Sequence, residues 1–154
     1  PVCVQGDAPK GALLDDFRRA RDGILVATMG FWEGVDVPGD ALRLVVIDKL
    51  PFAVPTDPMV VMRQRRLEEA GESPFDAYAV PEALISLKQG IGRLVRSESD
   101  RGVVAVFDRR LVDKAYGRRM QRSLSIGPLT HDLERVRAFY MLKTADHVPA
   151  GPPV

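Results

Sequence analysis

The feature that most constrains this chain is an alternation of short apolar runs with longer amphipathic segments. The apolar runs cover residues 2–4, 24–27, 42–48 and 102–108. Continuous apolar runs of this length are typical of strands that are covered on both faces in a parallel sheet. Segments with helical periodicity lie between them, at residues 10–22, 57–71 and 81–97. Strands and helices that alternate in this way predict an α/β fold with a parallel sheet.

The last third of the chain has a different character. Residues 108–125 are basic and weakly helical, and residues 130–140 read as a short helix with Thr130 as its N-cap. Residues 147–154 hold three prolines and a glycine, so we expect a flexible end. These changes predict a main domain at 1–124, a separate segment with a short helix at 125–143, and a tail at 144–154.

Composition excludes several classes of protein. The apolar runs are too short to cross a bilayer. Cys3 is the single cysteine, so the chain cannot form an internal disulfide or a cysteine-ligated cluster, and we expect a reducing, cytoplasmic location. Residues 1–92 carry 10 Lys and Arg against 14 Asp and Glu, whereas residues 93–154 carry 12 against 7. A basic half favours a nucleic-acid partner, although a solvated arginine-rich surface explains the same imbalance.

Residues 28–38 directly follow an apolar run and combine glycines with acids. In an open α/β sheet, ligands bind at the carboxyl ends of the strands. A glycine such as Gly34 lets the backbone approach a ligand, and an acid such as Asp36 can hold a ribose hydroxyl. The alternative is a polar loop that merely contains glycines.

Residues 89–96 form a second pattern, in which Gln89, Arg93 and Arg96 share one face of a helix and Gly92 permits close approach. Guanidinium groups bind phosphate oxygens and stabilise the charge that develops during phosphoryl transfer. The alternative is a surface helix with weak ion pairs to nearby acids. A small dinucleotide-binding enzyme is disfavoured, because no Gly-x-Gly-x-x-Gly follows the first apolar run.

Taken in order, three segments resemble motifs of superfamily 2 helicases: FWEGVDVPG at 31–39, VVIDKLPF at 45–52 and LKQGIGRLVRS at 87–97. The three segments are most similar to motifs of the XPD-like branch, the group that includes bacterial DinG and YoaA. The resemblance covers nearly the whole chain up to about Arg119. It implies a RecA-like parallel sheet flanked by helices, the second of two motor domains in a 5′-to-3′ DNA helicase, with ATP bound between them.

The resemblance also implies roles for individual residues. Asp36 would approach the ribose, with Gly34 and Gly92 beside the nucleotide. Gln89, Arg93 and Arg96 would face the γ-phosphate, with one of the two arginines as the arginine finger. Thr28 would touch the backbone of single-stranded DNA.

Other parts of such a helicase are missing from these 154 residues. The phosphate-binding loop and the magnesium-binding acids belong to the first motor domain, so ATP and Mg²⁺ would be shared with that domain. The family's iron–sulfur cluster would also lie there and not in this chain. The usual first strand and helix of the second domain would precede Pro1, so we expect the chain to be a segment of a longer protein.

The C-terminal segment predicts a protein partner. Its apolar residues, followed by an amphipathic helix, are suited to a groove on another protein. YoaA-type helicases bind the chi subunit of DNA polymerase III, so the resemblance implies chi as a candidate partner, contacted by Leu129, Leu133, Val136, Phe139 and Tyr140. The alternative is that this segment packs back on its own sheet. The chain in isolation could therefore serve as an interaction module instead of a motor domain.

Overall fold

The computed structural model of the protein describes residues 1–20, 22–32, 37, 42–94, 101–124 and 126–141. The strands are β1 (Val2–Val4), β2 (Ile24–Val26), β3 (Leu44–Ile47) and β4 (Val103–Val106). The helices are α1 (Lys10–Arg19), α2 (Pro58–Glu69), α3 (Val80–Ile91), α4 (Arg110–Asp113), α5 (Ala115–Leu124) and α6 (Leu133–Met141). A 3-10 turn covers Met29–Trp32, and a π-helical turn at Phe75–Ala79 leads into α3.

The described strands form two parallel pairs. β1 pairs with β2, with Val2 opposite Ile24 and Val4 opposite Val26. β3 pairs with β4, with Leu44 opposite Val103 and Ile47 opposite Val106. Parallel strands with helical connections confirm the α/β class that the apolar runs predicted.

Each strand pair has its own apolar core. The first core lies between β1, β2 and α1, where Cys3, Leu13, Leu14 and Phe17 are buried with Phe31 and Val37. The second core lies between β3, β4 and the helices α3 to α5. Its buried members are Ile47, Leu50, Val80, Ala83, Leu87, Leu111 and Met120.

The prediction that the strands are covered on both faces is wrong within the described residues for β2, and also for β3, whose Leu44 and Val46 are 47% and 51% exposed. The pair of β1 and β2 shows this most clearly. Cys3 and Leu25 face α1, but the opposite side chains are exposed. Ile24 and Val26 are 58% and 51% exposed, and Val2 and Val4 stand beside them on the paired strand. One apolar face of this pair therefore has no cover within the described residues. An apolar run indicates that both faces of a strand are apolar, but it does not show whether residues of the same chain cover both faces.

Two helix boundaries follow from local chemistry. Asp57 begins α2, because its carboxylate accepts hydrogen bonds from the backbone N–H groups of Met59 and Val60, and Pro58 suits the first helical position. α6 begins at Leu133, so the prediction of Thr130 as N-cap is wrong. The Asp132 carboxylate accepts the Glu134 N–H at 2.9 Å, while the Thr130 hydroxyl accepts the N–H of Asp132.

Helix α3 differs from its predicted bounds at both ends. It begins one residue earlier, at Val80, because the π-helical turn delivers the chain already in helical conformation. It ends at Ile91, not at Ser97, and continues as a turn through Gly92 and Leu94 in which Leu94 N–H bonds Ile91 O at 2.9 Å. Residues 95–97 lie outside the described residues.

Candidate functional site

The carboxyl ends of β1 and β2 bring two polar side chains together. Gln5 follows β1 directly, and Thr28 lies two residues after β2. The Gln5 Oε1 atom accepts the backbone N–H of Thr28 at 2.8 Å and the Thr28 hydroxyl at 3.0 Å. A side-chain amide whose oxygen is engaged keeps the two donors on its nitrogen. Thr28 therefore orients the Gln5 amide, and the amide nitrogen can donate hydrogen bonds to a ligand.

An open cleft of about 550 Å³ lies at these strand ends. Its walls include Gln5, Lys10, Thr28 and Phe31. The Lys10 ammonium lies 4.9 Å from the centroid of the Phe31 ring, while the ring itself is buried. The cleft thus combines amide and hydroxyl groups with a cation, which is the chemistry that binds phosphate oxygens without reading bases.

The loop after Thr28 is anchored at two points in the first core. Phe31 is 5% exposed and Val37 is 3% exposed, and both pack in the cluster around Leu13 and Phe17. Gly34 and Asp36, the predicted ribose-side residues, fall between these anchors and lie outside the described residues.

The end of α3 presents the second set of predicted residues. Gln89 is exposed, Gly92 is the exposed C-cap of the helix, and Arg93 is partly buried. Leu94 is buried and packs against Gly102, where a Cβ atom would collide with the leucine side chain. The buried leucine fixes the turn that carries Arg93. Arg96 lies outside the described residues.

The two predicted motif segments meet in space. The 3-10 turn Met29–Trp32, which follows Thr28, lies against α3. The turn that follows Thr28 is therefore in contact with the helix that carries Gln89 and leads into the turn with Arg93.

The carboxyl ends of β3 and β4 are joined by Asp108. Its side chain is 7% exposed and accepts the Leu50 N–H at 2.8 Å and the Arg110 guanidinium at 2.6 Å. Hydrogen bonds from Arg110, reinforced by the Leu50 N–H, hold the pKa of Asp108 well below its usual range. The Arg110 guanidinium also lies 5.3 Å from the centroid of the Phe52 ring. This arrangement fixes the connection that leaves β3.

The predicted partner-binding residues divide into two groups. Leu129 and Leu133 are 54% and 72% exposed. Phe139 and Val136 are partly buried, and the Tyr140 hydroxyl donates a hydrogen bond to Arg43 O at 2.7 Å. Burial raises the pKa of the Tyr140 hydroxyl. The aromatic end of α6 thus contacts the chain itself, while the leucines face outward.

Three residues of these surfaces escaped the sequence analysis: Gln5, Lys10 and Asp108. Gln5 is a polar residue directly after an apolar run, the same signal that singled out Thr28. Asp108 also follows an apolar run, but its role depends on Leu50, which is 58 residues away along the chain. No local pattern reveals such a pairing.

The described residues contain neither a candidate metal site nor a membrane-spanning helix. No group of three or more His, Cys, Asp or Glu side chains there is arranged to hold a metal ion. Within the same ranges, every helix is too short or too polar to span a membrane.

Comparison with known proteins adds a family. A model described as the helicase C-terminal domain matches residues 1–126. The ATP-dependent DNA helicase YoaA of Escherichia coli (strain K12) is 47% identical to the chain over 145 residues, which are 94% of the chain. The YoaA of Haemophilus influenzae is 47% identical over 142 residues, 92% of the chain. The ATP-dependent helicase DinG of Mycobacterium tuberculosis (strain ATCC 25618 / H37Rv) is 41% identical over 138 residues, 90% of the chain.

These relatives are much longer than the chain. The matched residues make up 23% of the Escherichia coli protein, 22% of the Haemophilus influenzae protein and 21% of the Mycobacterium tuberculosis protein. The chain thus spans less than a quarter of each.

Proposed function

Because the chain belongs to the helicase C-terminal domain family, we propose that it is the second, RecA-like motor domain of an ATP-dependent DNA helicase that moves 5′ to 3′. In the longer parent protein it contributes two surfaces. One is the cleft at Gln5, Lys10 and Thr28, which binds the backbone of single-stranded DNA. The other is the arginine-bearing end of α3, which completes an ATP site on the first motor domain.

The observation that carries this proposal is the contact between the 3-10 turn Met29–Trp32 and α3. A motor must couple nucleotide hydrolysis to movement on DNA. Here the turn directly after Thr28 contacts α3, which carries Gln89 and leads into the turn with Arg93. A shift of α3 during the ATP cycle would therefore be passed to the strand end that holds DNA, with no intervening element.

The residues at the end of α3 fit a triphosphate. Gln89 is exposed and can donate from its amide, and Arg93 is partly buried on a fixed turn. Arg96, Gly34 and Asp36 complete the proposed set, as ligands of the γ-phosphate and the ribose. Bound ATP with Mg²⁺ supplies the phosphoryl group and the metal that neutralises it. The metal acids are proposed to lie in the first motor domain, as is any iron–sulfur cluster.

The ATP proposal is tested by Arg93→Ala and Arg96→Ala in the parent protein. Loss of an arginine finger lowers turnover on the order of 10³-fold, because charge on the γ-phosphoryl oxygens is no longer stabilised. Arg65→Ala is the matched control, since this arginine lies on the exposed side of α2, where it pairs with Glu69 at 3.8 Å. Near-normal DNA-stimulated ATPase activity in both single variants would show that neither arginine is the finger.

The DNA proposal is tested by binding at several salt concentrations. Contacts to phosphates alone make affinity fall steeply with salt and leave it nearly independent of base sequence. Thr28→Ala should lower the affinity for every oligonucleotide to a similar degree, because it removes one of the two hydrogen bonds that orient Gln5. A strong preference for one sequence at fixed salt, lost in Thr28→Ala, would instead indicate base readout.

A second candidate function is an interaction module that docks the parent helicase onto the chi subunit of DNA polymerase III. The exposure of Leu129 and Leu133 favours it, since exposed large apolar side chains are suited to a partner's groove. Val136, Phe139 and Tyr140 belong to the same proposed surface. Calorimetry with chi would test it: Leu129→Asp with Leu133→Asp should abolish binding, and unchanged affinity in this folded double variant would exclude the surface.

A further inference from the structure

The aromatic end of α6 is attached to the edge of the sheet at which β3 and β4 begin. Tyr140 Oη donates to Arg43 O at 2.7 Å, and Arg43 immediately precedes β3. The same carbonyl oxygen accepts the N–H of Val103, the first residue of β4, at 2.9 Å. One backbone oxygen therefore joins α6 to both strands.

A second contact reinforces the first. The Arg101 guanidinium lies 4.7 Å from the centroid of the Phe139 ring. An arginine over an aromatic ring is an attractive arrangement, and it holds the chain two residues before β4. Phe139 and Tyr140 thus contact the residues that precede the two strands, Arg101 before β4 and Arg43 before β3.

The same short stretch receives the end of α3. Gly102 lies between Arg101 and Val103, and it has no room for a Cβ atom because the Leu94 side chain occupies that space. Leu94 is buried and directly follows Arg93. Residues 101–103 therefore contact α6 at Arg101 and share the Arg43 carbonyl oxygen with Tyr140 through the Val103 N–H, while Gly102 contacts the turn that carries Arg93.

From this arrangement we propose that Phe139 and Tyr140 are positioning residues for Arg93, acting through residues 101–103. The inference rests on the proposed role of Arg93 in ATP hydrolysis. A helix of nine residues is marginal by itself, so α6 is ordered by these contacts and in turn braces the edge that it covers. Displacing a catalytic group by about 1 Å can cost about a hundredfold in rate, so a brace on its supporting turn affects turnover.

The experiment uses DNA-stimulated ATP hydrolysis by the parent protein. Tyr140→Phe removes the hydrogen bond to Arg43 and keeps the ring, and Phe139→Leu removes the ring beneath Arg101. Each should lower kcat about fivefold, the equivalent of one ordinary hydrogen bond, with a change of less than about twofold in KM for ATP. Phe139→Trp, which keeps an aromatic face for the guanidinium, should restore most of the rate.

Met141→Ala is the matched control. It alters the next residue of the same helix, whose side chain is 84% exposed, and it should leave kcat unchanged. DNA affinity without ATP and the thermal unfolding midpoint should also stay at their original values in Tyr140→Phe. A rate loss accompanied by an equal loss of DNA binding and stability would overturn the proposal, because it would indicate general damage to packing.

Hydrogen exchange on the 154-residue chain gives an independent readout. Tyr140→Phe should speed exchange at the Val103 and Leu94 amides, whereas amides in α1, which packs against β1 and β2, should keep their rates. If Tyr140→Phe changes neither exchange nor kcat while Arg93→Ala is inactive, the positioning role of Phe139 and Tyr140 is wrong and the ATP-site proposal stands. An active Arg93→Ala would overturn the proposed role of Arg93 in ATP hydrolysis, and with it the positioning role of Phe139 and Tyr140.

Discussion

Gln5 Oε1 accepts two hydrogen bonds from Thr28, one from its backbone N–H at 2.8 Å and one from its hydroxyl at 3.0 Å. The hydroxyl hydrogen of Thr28 is therefore engaged within the protein. The Gln5 amide nitrogen carries two N–H donors, and the Lys10 ammonium lines the same cleft. We propose that Thr28 contributes to DNA binding by orienting the Gln5 amide.

Gln5→Glu tests this division of roles. A carboxylate keeps the two acceptor bonds to Thr28 but replaces the amide donors with negative charge beside the DNA phosphates. Affinity of the parent protein for single-stranded DNA should fall about tenfold or more, because a hydrogen bond to a charged group contributes about 1.5–3 kcal/mol. Fluorescence anisotropy at one low salt concentration measures it. Equal loss in Gln5→Glu and in Met59→Glu, which adds the same charge at an exposed site on α2, would argue against a local effect.

The 154-residue chain alone should hydrolyse no ATP. It offers the arginine-bearing end of α3 but contains no Gly-x-x-x-x-Gly-Lys-Ser/Thr loop to hold the phosphates. A coupled phosphate-release assay on the purified chain, with the parent protein as positive control, should give no magnesium-dependent signal above buffer. Sustained turnover that survives repeated purification would contradict a divided ATP site.

Asp108→Ala should destabilise the fold in a pH-dependent way. The variant leaves the Leu50 N–H and the Arg110 guanidinium without their carboxylate, at a cost of about 1–3 kcal/mol at pH 7. Because the folded-state pKa of Asp108 is depressed, its contribution is complete above the ordinary value of 3.8 and is lost as pH falls toward the folded-state value. Denaturant unfolding should therefore show a smaller difference in unfolding free energy between the original protein and Asp108→Ala at pH 3 than at pH 7.

Asp15→Ala is the control for that comparison. Asp15 pairs with Arg18 at 3.0 Å on an exposed surface of α1, where an ion pair contributes little. If the loss of unfolding free energy in Asp108→Ala is the same at both pH values, the missing side chain and not its charge accounts for the effect.

Gly117→Ala should also destabilise the chain. A Cβ atom at this position would meet the backbone carbonyls of Arg110 and Leu111, so α5 could no longer approach α4 as closely. Overpacking of this kind costs about 1–3 kcal/mol. Gly11→Ala in α1 is the matched control: its Cβ would meet nothing within 4 Å, and replacing a helical glycine with alanine stabilises by up to about 1 kcal/mol. Equal unfolding midpoints for the two variants would contradict the close approach.

The local parts of the fold followed from the sequence because their causes are local. Val2–Val4 is a strand as predicted, and Asp57 with Pro58 begins α2 through bonds within three residues. The predicted start of a helix is wrong where two nearby residues can both act as N-cap, as Thr130 and Asp132 can before α6. The π-helical turn before α3 has no sequence signature of its own, so the start of that helix was misplaced by one residue.

The candidate site was predictable only in part. Motif resemblance selected Thr28, Gln89 and Arg93, and these roles stay predictions until the variants are measured. The tertiary partners could not be predicted, because Gln5 meets Thr28 across 23 residues and Tyr140 meets Arg43 across 97. Such pairs depend on how the elements are arranged, which periodicity does not encode.

No described residue covers the row of Val2, Val4, Ile24 and Val26, so protein concentration is a variable in every experiment on the isolated chain. Two copies that meet through this face remove apolar surface from water on both sides, so self-association should grow with concentration and with salts such as sulfate. Association that favours the folded state raises the apparent unfolding midpoint. Midpoints of variants are therefore comparable only when they are measured at equal and low protein concentration.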